Sequence, residues 1–350
     1  MPRANRRDVL ADGEVQVMHC VNRCVRRASL CGQHPLTGTD YEHRRELIRQ
    51  RLEFLAGALG IEVLGYSVMS NHIHCVLRSR PDVVSGWSDD EVAAKWWALC
   101  PIRKGKDGNA AEPTEFEINA IKNDKLQLKK RRSRLSSISW FMRFLCEEVA
   151  RESNKQNECT GRFLEGRFKA QILADEAVLL ACMQNVDLNP VRAKMATTPE
   201  TSDLTSARDR IVDAKAADEV STPDARDKRI EHGKRAGWLA PVAFVPPRKA
   251  VREKAANRPA SNKGFLDIGL GDYLQLLDWT SCQICSGKRV AIPKHLASIL
   301  QRLDMSPTFW VDYVRQFQKF SRTITTYTKP TEPQTNGQST TKSLTSRNTL

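Results

Sequence analysis

Between residues 14 and 79 the spacing of apolar side chains changes period twice. Residues 14–24 (EVQVMHCVNRC) alternate β-branched and polar positions, the two-residue repeat of a strand. From Tyr41 to Leu59 the repeat is helical, with Leu47, Leu52, Leu55 and Leu59 set among charges, and Gly60 closes it. Residues 61–69 (IEVLGYSVM) and 72–79 (HIHCVLRS) return to strand spacing around a Ser70-Asn71 turn. This predicts a hairpin with Ile73, Cys75 and Leu77 on its buried face.

Residues 80–135 differ in texture. Helical pieces at Glu91–Leu99 and Glu115–Leu128 flank a Gly/Lys/Asn-rich stretch, and a run of basic residues follows, so the segment reads as an insertion. Residues 139–153 (SWFMRFLCEEVARES) are strongly amphipathic, with Phe141, Phe144, Leu145 and Val149 on one stripe. A turn and strand are expected over 162–173, then a helix capped by Asp175 that carries Leu179, Cys182 and Val186. The pattern predicts a domain over 1–200 and a weakly ordered linker over 201–262. A helical extension over 263–325 follows, opened by Ser306-Pro307, and then a Thr/Ser/Asn/Gln-rich disordered tail over 326–350.

The longest apolar run, Ala177 to Met183, is too short for a bilayer, and the basic N-terminus has no apolar stretch behind it. A cytoplasmic protein without membrane contact is expected, and the scattered cysteines read as small core side chains. Lys and Arg number 55 against 41 Asp and Glu, a net charge of +14 that favours polyanionic partners. The positive residues cluster at Arg23, Arg26 and Arg27 and at Lys129, Lys130, Arg131, Arg132 and Arg134. These are the candidate nucleic-acid contacts.

His72-Ile73-His74 is the sharpest chemical signal. On a strand, positions two apart share a face, so both imidazoles project together and can ligate one divalent ion. The competing reading is two polar residues on an exposed face.

VMSNHIHCVL resembles the histidine strand of HUH-type single-tyrosine transposases, in the group related to REP-associated tyrosine transposases. The likeness continues in order through CVNRCVRRASLCG, SWFMRFL, CTGRFLEGRFKAQIL and LLACMQNVDLNPVRAKMA, across roughly residues 10–215. It implies an α+β fold, a small antiparallel sheet flanked by helices, holding Mg²⁺ or Mn²⁺ and acting on single-stranded or stem-loop DNA, often as a homodimer. There the metal polarises the scissile phosphate and a helix-borne tyrosine attacks it.

The chain departs from that pattern at the nucleophile. The resemblance places the tyrosine four residues before the Asn of an Asn-Pro pair, and here that position is Asn185, followed by Asn189 and Pro190. A carboxamide is not a competent nucleophile toward phosphorus. The resemblance also maps a third metal ligand onto Asn189, although Asn before Pro suits a helix N-cap equally well. Asp187 and Glu165 are the fallback oxygen donors. Two functional readings follow: a transposase-like transesterase, or a DNA-binding protein that no longer cleaves. A third keeps the metal and uses activated water.

Overall fold

The computed structural model describes residues 13–25, 29–34, 37–106, 108, 110–218, 235–243, 260, 261, 263–285 and 290–317. Strands Val17–Arg23 (β1), Ile61–Val68 (β2), His72–Ser79 (β3) and Lys169–Ile172 (β4) form an antiparallel sheet in the order β2-β3-β1-β4. The hairpin of β2 and β3 turns where its sequence requires: Met69 N–H donates to the His72 carbonyl at 2.9 Å, closing the Ser70-Asn71 turn.

One sheet face carries Ile73, Cys75 and Leu77 with Met18 and Cys20, as expected from the alternation. It packs on the helices His43–Ala58 (α1) and Ile138–Gln156 (α6), which contribute Ile48, Leu52, Leu55, Phe141, Leu145 and Val149. Each such side chain contributes roughly 1.5–3 kcal/mol on burial.

The other face is not open to solvent. Along β3 only His72 escapes full burial, because Glu176–Asp187 (α7) lies across this face. Gly65 lets α7 come close, since a Cβ there would sit 2.6 Å from Met183 Cε. Leu270–Cys285 (α10), Lys294–Arg302 (α11) and Pro307–Arg315 (α12) join α7 in a second core with Tyr273, Leu276, Trp310 and Val314. Ser306 caps α12 as its sequence indicates, accepting from Phe309 N–H.

The insertion holds short helices at Pro81–Ser85 (α2), Asp89–Leu99 (α3), Glu115–Asn123 (α4) and Lys125–Leu135 (α5). The single helix expected over 115–128 is broken because the Asp124 side chain caps α5 at Gln127 N–H. Both ends of the insertion meet one residue: Arg80 N–H donates to the Gly60 carbonyl, and Gly60 N–H donates to the Leu135 carbonyl.

The stretch after 201, expected to be weakly ordered, includes a helix over Ser206–Asp218 (α9), which follows the short helix Asn189–Arg192 (α8) and a 3-10 turn. Its polar side chains are used inside the protein. Tyr66 donates to Asp209, and Arg210 donates to the carbonyls of Leu64 and Ala240. Composition misled there because polar residues can be ordered by buried hydrogen bonds. The tail over 326–350 and most of the linker lie outside the described residues.

Candidate metal and nucleic-acid site

Cross-strand register assembles the site. His74 pairs with Val21, His72 with Arg23 and Val76 with His19, so three histidines share the face beneath α7. The His72 and His74 rings lie 4.8 Å apart at 68°. His74 is only 1% exposed, which overturns the reading of two polar residues on an open strand face. Its Nδ1 lies 2.8 Å from His19 Nε2, while its own Nε2 is buried with no hydrogen-bond partner among the described residues. His72 Nδ1 donates to Asn71 Oδ1 at 2.6 Å, leaving its Nε2 as the lone-pair nitrogen.

All three rings are neutral at pH 7. Burial lowers His19 to about 4, and burial followed by the positive charges of Arg23 and Lys169 lowers His72 to about 4. His74 falls well below the usual histidine range through burial, helped by His19, His72, Arg192 and Arg23.

With His74 donating its Nδ1–H to His19 Nε2, the Nε2 atoms of His72 and His74 both carry lone pairs that suit a divalent ion. The His74 Nε2 that finds no hydrogen-bond partner among the described residues is the observation that makes the fit. His72 and His74 are the residues that would hold it. Among the described residues no group of three His, Cys, Asp or Glu side chains is placed for a metal. Asn189 has the right chemistry and is half-buried.

The alternative role for Asn189, as an N-cap, fails. Leu188 before it has φ −86° and ψ 0°, so α7 runs almost unbroken into α8 and no side-chain cap forms. Asp187 is also removed as a ligand: it accepts from Ser206 Oγ, Ala207 N–H and the Tyr273 hydroxyl. Glu165 stays beside the site through its backbone, donating N–H to the Arg23 carbonyl at 2.8 Å.

Asn185 is 2% exposed, and its Nδ2 donates to the Val314 carbonyl at 2.7 Å. Two residues past the end of α12, Phe317 packs edge-on against His19 with ring centres 6.3 Å apart. Arg192 donates to the Arg315 carbonyl at 2.9 Å. The last turn of α12 is thus held by α7 and α8 beside the histidines. Of the described tyrosines, Tyr66 bonds to Asp209, Tyr273 bonds to Asp187 and Tyr41 lies beneath the Arg44 guanidinium, while Tyr313 is buried on α12 with its ring 5.9 Å from that of Phe317. Burial pushes Tyr66 and Tyr273 well above the usual phenol range and Tyr313 to about 12.

The expected basic contacts separate. Arg23 borders His72 in register, whereas Arg26 and Arg27 lie outside the described residues. The run from Lys129 to Arg134 belongs to α5, away from the histidines. Arg131 donates to the Ile121 carbonyl, and Arg132 donates to the carbonyls of Val84 and Trp87 and to Asp89. Arg134 stacks on Trp140, and Lys129 and Lys130 are exposed. Sequence reasoning missed His19, Lys169 and Arg192, whose positive charge or ring nitrogen acts on the histidine pair. Their signal was present within the quoted blocks, but only strand register and the turn after α7 bring them together.

No family model matches the chain, and no curated protein does. Among solved structures, a REP-associated tyrosine transposase bound to a REP hairpin is similar over 56% of this chain and 79% of that one. The identity is 9% and the TM-score 0.33, a distant likeness that does not establish a common fold. No helix among the described residues is long and apolar enough to cross a membrane.

Proposed function

We propose that the protein binds single-stranded or stem-loop DNA across the histidine face without forming a covalent link to it. Asn185 carries this reading. The residue in the tyrosine position is buried and hydrogen-bonded to Val314, and its amide cannot become the anion that attacks phosphorus. Arg23 and Lys169 give the face the sign that a phosphodiester requires. A bound Mg²⁺ or Mn²⁺ would supply Lewis acidity toward a phosphate oxygen. The protein's own groups do the rest: His72 and His74 present lone pairs, and the flanking cations orient the backbone.

The test is a labelled hairpin incubated with protein and Mn²⁺, followed on a native gel, a denaturing protein gel and a DNA gel. Retention on the native gel is expected, with no covalent band and no cut strand. A metal-dependent covalent adduct would overturn the proposal. Cleavage without an adduct would instead support hydrolysis by activated water, the reading that the partnerless His74 Nε2 favours.

A further inference from the structure

The insertion and α6 bring together side chains that are far apart in the sequence. Trp96 comes from α3, Arg134 from α5, and Trp140, Arg143 and Phe144 from α6. Their rings are contiguous, with centres 6.1 Å apart for Trp96 and Trp140 and 5.6 Å for Trp140 and Phe144. The Arg134 guanidinium sits 4.5 Å from the Trp140 centre and 5.7 Å from that of Trp96. Arg143 also lies over Trp140, at 4.8 Å, but pairs with Glu147.

Arg134 differs from the arginines around it. Arg131 and Arg132 donate to carbonyls, and Arg143 has its glutamate. The half-buried Arg134 guanidinium forms no hydrogen bond or ion pair among the described residues. Held over the two rings, the guanidinium keeps its fork of N–H donors available to a phosphate. Lys130, one helical turn earlier, is exposed beside it. Half-buried indoles next to cations suit nucleotides whose bases are unstacked, since the rings take bases while the charges follow the backbone.

We propose that Arg134, Lys130, Trp96 and Trp140 form a second nucleic-acid surface, selective for single strands. It extends the DNA-binding reading above but lies on the opposite side of the sheet. Its α6 covers the face of Ile73 and Cys75, whereas the histidines look toward α7. A blunt stem-loop at the histidines does not reach it, and a single-stranded extension does.

Anisotropy with the full chain tests this using three probes: a blunt stem-loop, the same stem-loop with a tail of about 15 thymidines, and oligo(dT) alone. Arg134→Gln and Trp140→Leu are each expected to weaken oligo(dT) and tailed-probe binding about tenfold, with the blunt stem-loop unchanged. Trp140→Phe, which keeps a ring, should stay near wild type. Arg134→Gln leaves the apolar core intact and keeps the test decisive if Trp140→Leu does not fold. Unchanged oligo(dT) affinity in Arg134→Gln overturns the proposal, and so does an equal loss for the blunt stem-loop. If wild type ignores the blunt stem-loop while the oligo(dT) pattern holds, the histidine-face reading fails and this one stands.

Discussion

On β3, His72 and His74 keep ring nitrogens that no group among the described residues uses; on α7, Asn185 packs against α12 and bonds to it. Leaving a buried nitrogen unpaired costs about 1–3 kcal/mol, a cost that binding sites carry and ordinary cores remove. Bonding Asn185 to a helix-end carbonyl does the reverse, satisfying an acceptor that α12 leaves open. The strand side leaves ring nitrogens unused among the described residues, while Asn185 on the helix side is part of the packing.

Four experiments bear on this contrast. The largest expected effect is on the strands. Replacing His72 and His74 together by alanine should lower Mn²⁺ affinity more than about 100-fold in calorimetry at about pH 7.5, since even outer-shell changes cost 10–100-fold. Equal affinity in the variant would end the claim that this half is a metal site.

Next comes the basic helix, where a single run of charges divides into scaffold and surface. Arg132→Ala should cost about 2 kcal/mol in urea unfolding, because it takes the Arg132 donor from the Trp87 carbonyl and one of several donors from that of Val84. Lys129→Gln with Lys130→Gln should leave stability within about 0.5 kcal/mol and flatten the salt dependence of DNA binding by about 0.7 per lost phosphate contact. An unchanged slope would mean that these lysines are merely solvated.

Asn185→Ala sharpens the helix side. Loss of the bond to Val314 should destabilise by about 1–2 kcal/mol, with Mn²⁺ affinity unaltered. A variant as stable as wild type would show that the slot is idle.

The smallest effect expected is none: Mn²⁺ affinity should be flat between about pH 7.5 and 5.5. His72, held at about 4, carries no competing proton in that range. The same depression fixes a sign for stability. Unfolded histidine takes up its proton near pH 6.5 and folded His19 and His72 only near 4, so their contribution is complete above 6.5 and is lost as the pH falls toward 4. Asp213, pushed up to about 6 by burial, pulls the other way. Imidazole NMR titration reads the histidines directly, and a midpoint near 6.5 for His72 would remove the case for a desolvated ligand pair.

Local signals were legible in the sequence. The hairpin alternation, the Asp175 cap and the Ser306-Pro307 start each depend on neighbours a few residues away, and all three hold. The burial of His74 did not show, because its cover comes from α7 and from a core built with residues near 310. Asn189 read equally well as cap or ligand until the helical Leu188 removed the break that a cap needs. The arginines of α5 looked like free charge because their acceptors, Val84, Trp87 and Ile121, are backbone carbonyls that any sequence would carry.

The meeting of both insertion ends at Gly60 has a consequence for how this chain can be rearranged. A segment whose two ends both bond to one residue has little distance to span between them, so its length carries little loop-closure cost for the host. Residues 81–134 therefore enter and leave the fold side by side, yet they are not a detachable unit: Val84, Val92, Trp97, Leu99, Ile121 and Leu128 share the core of α1, α6 and the sheet, so removing them would uncover that core. The segment in turn fixes Gly60, for a Cβ there would lie 2.1 Å from Val84 Cγ2.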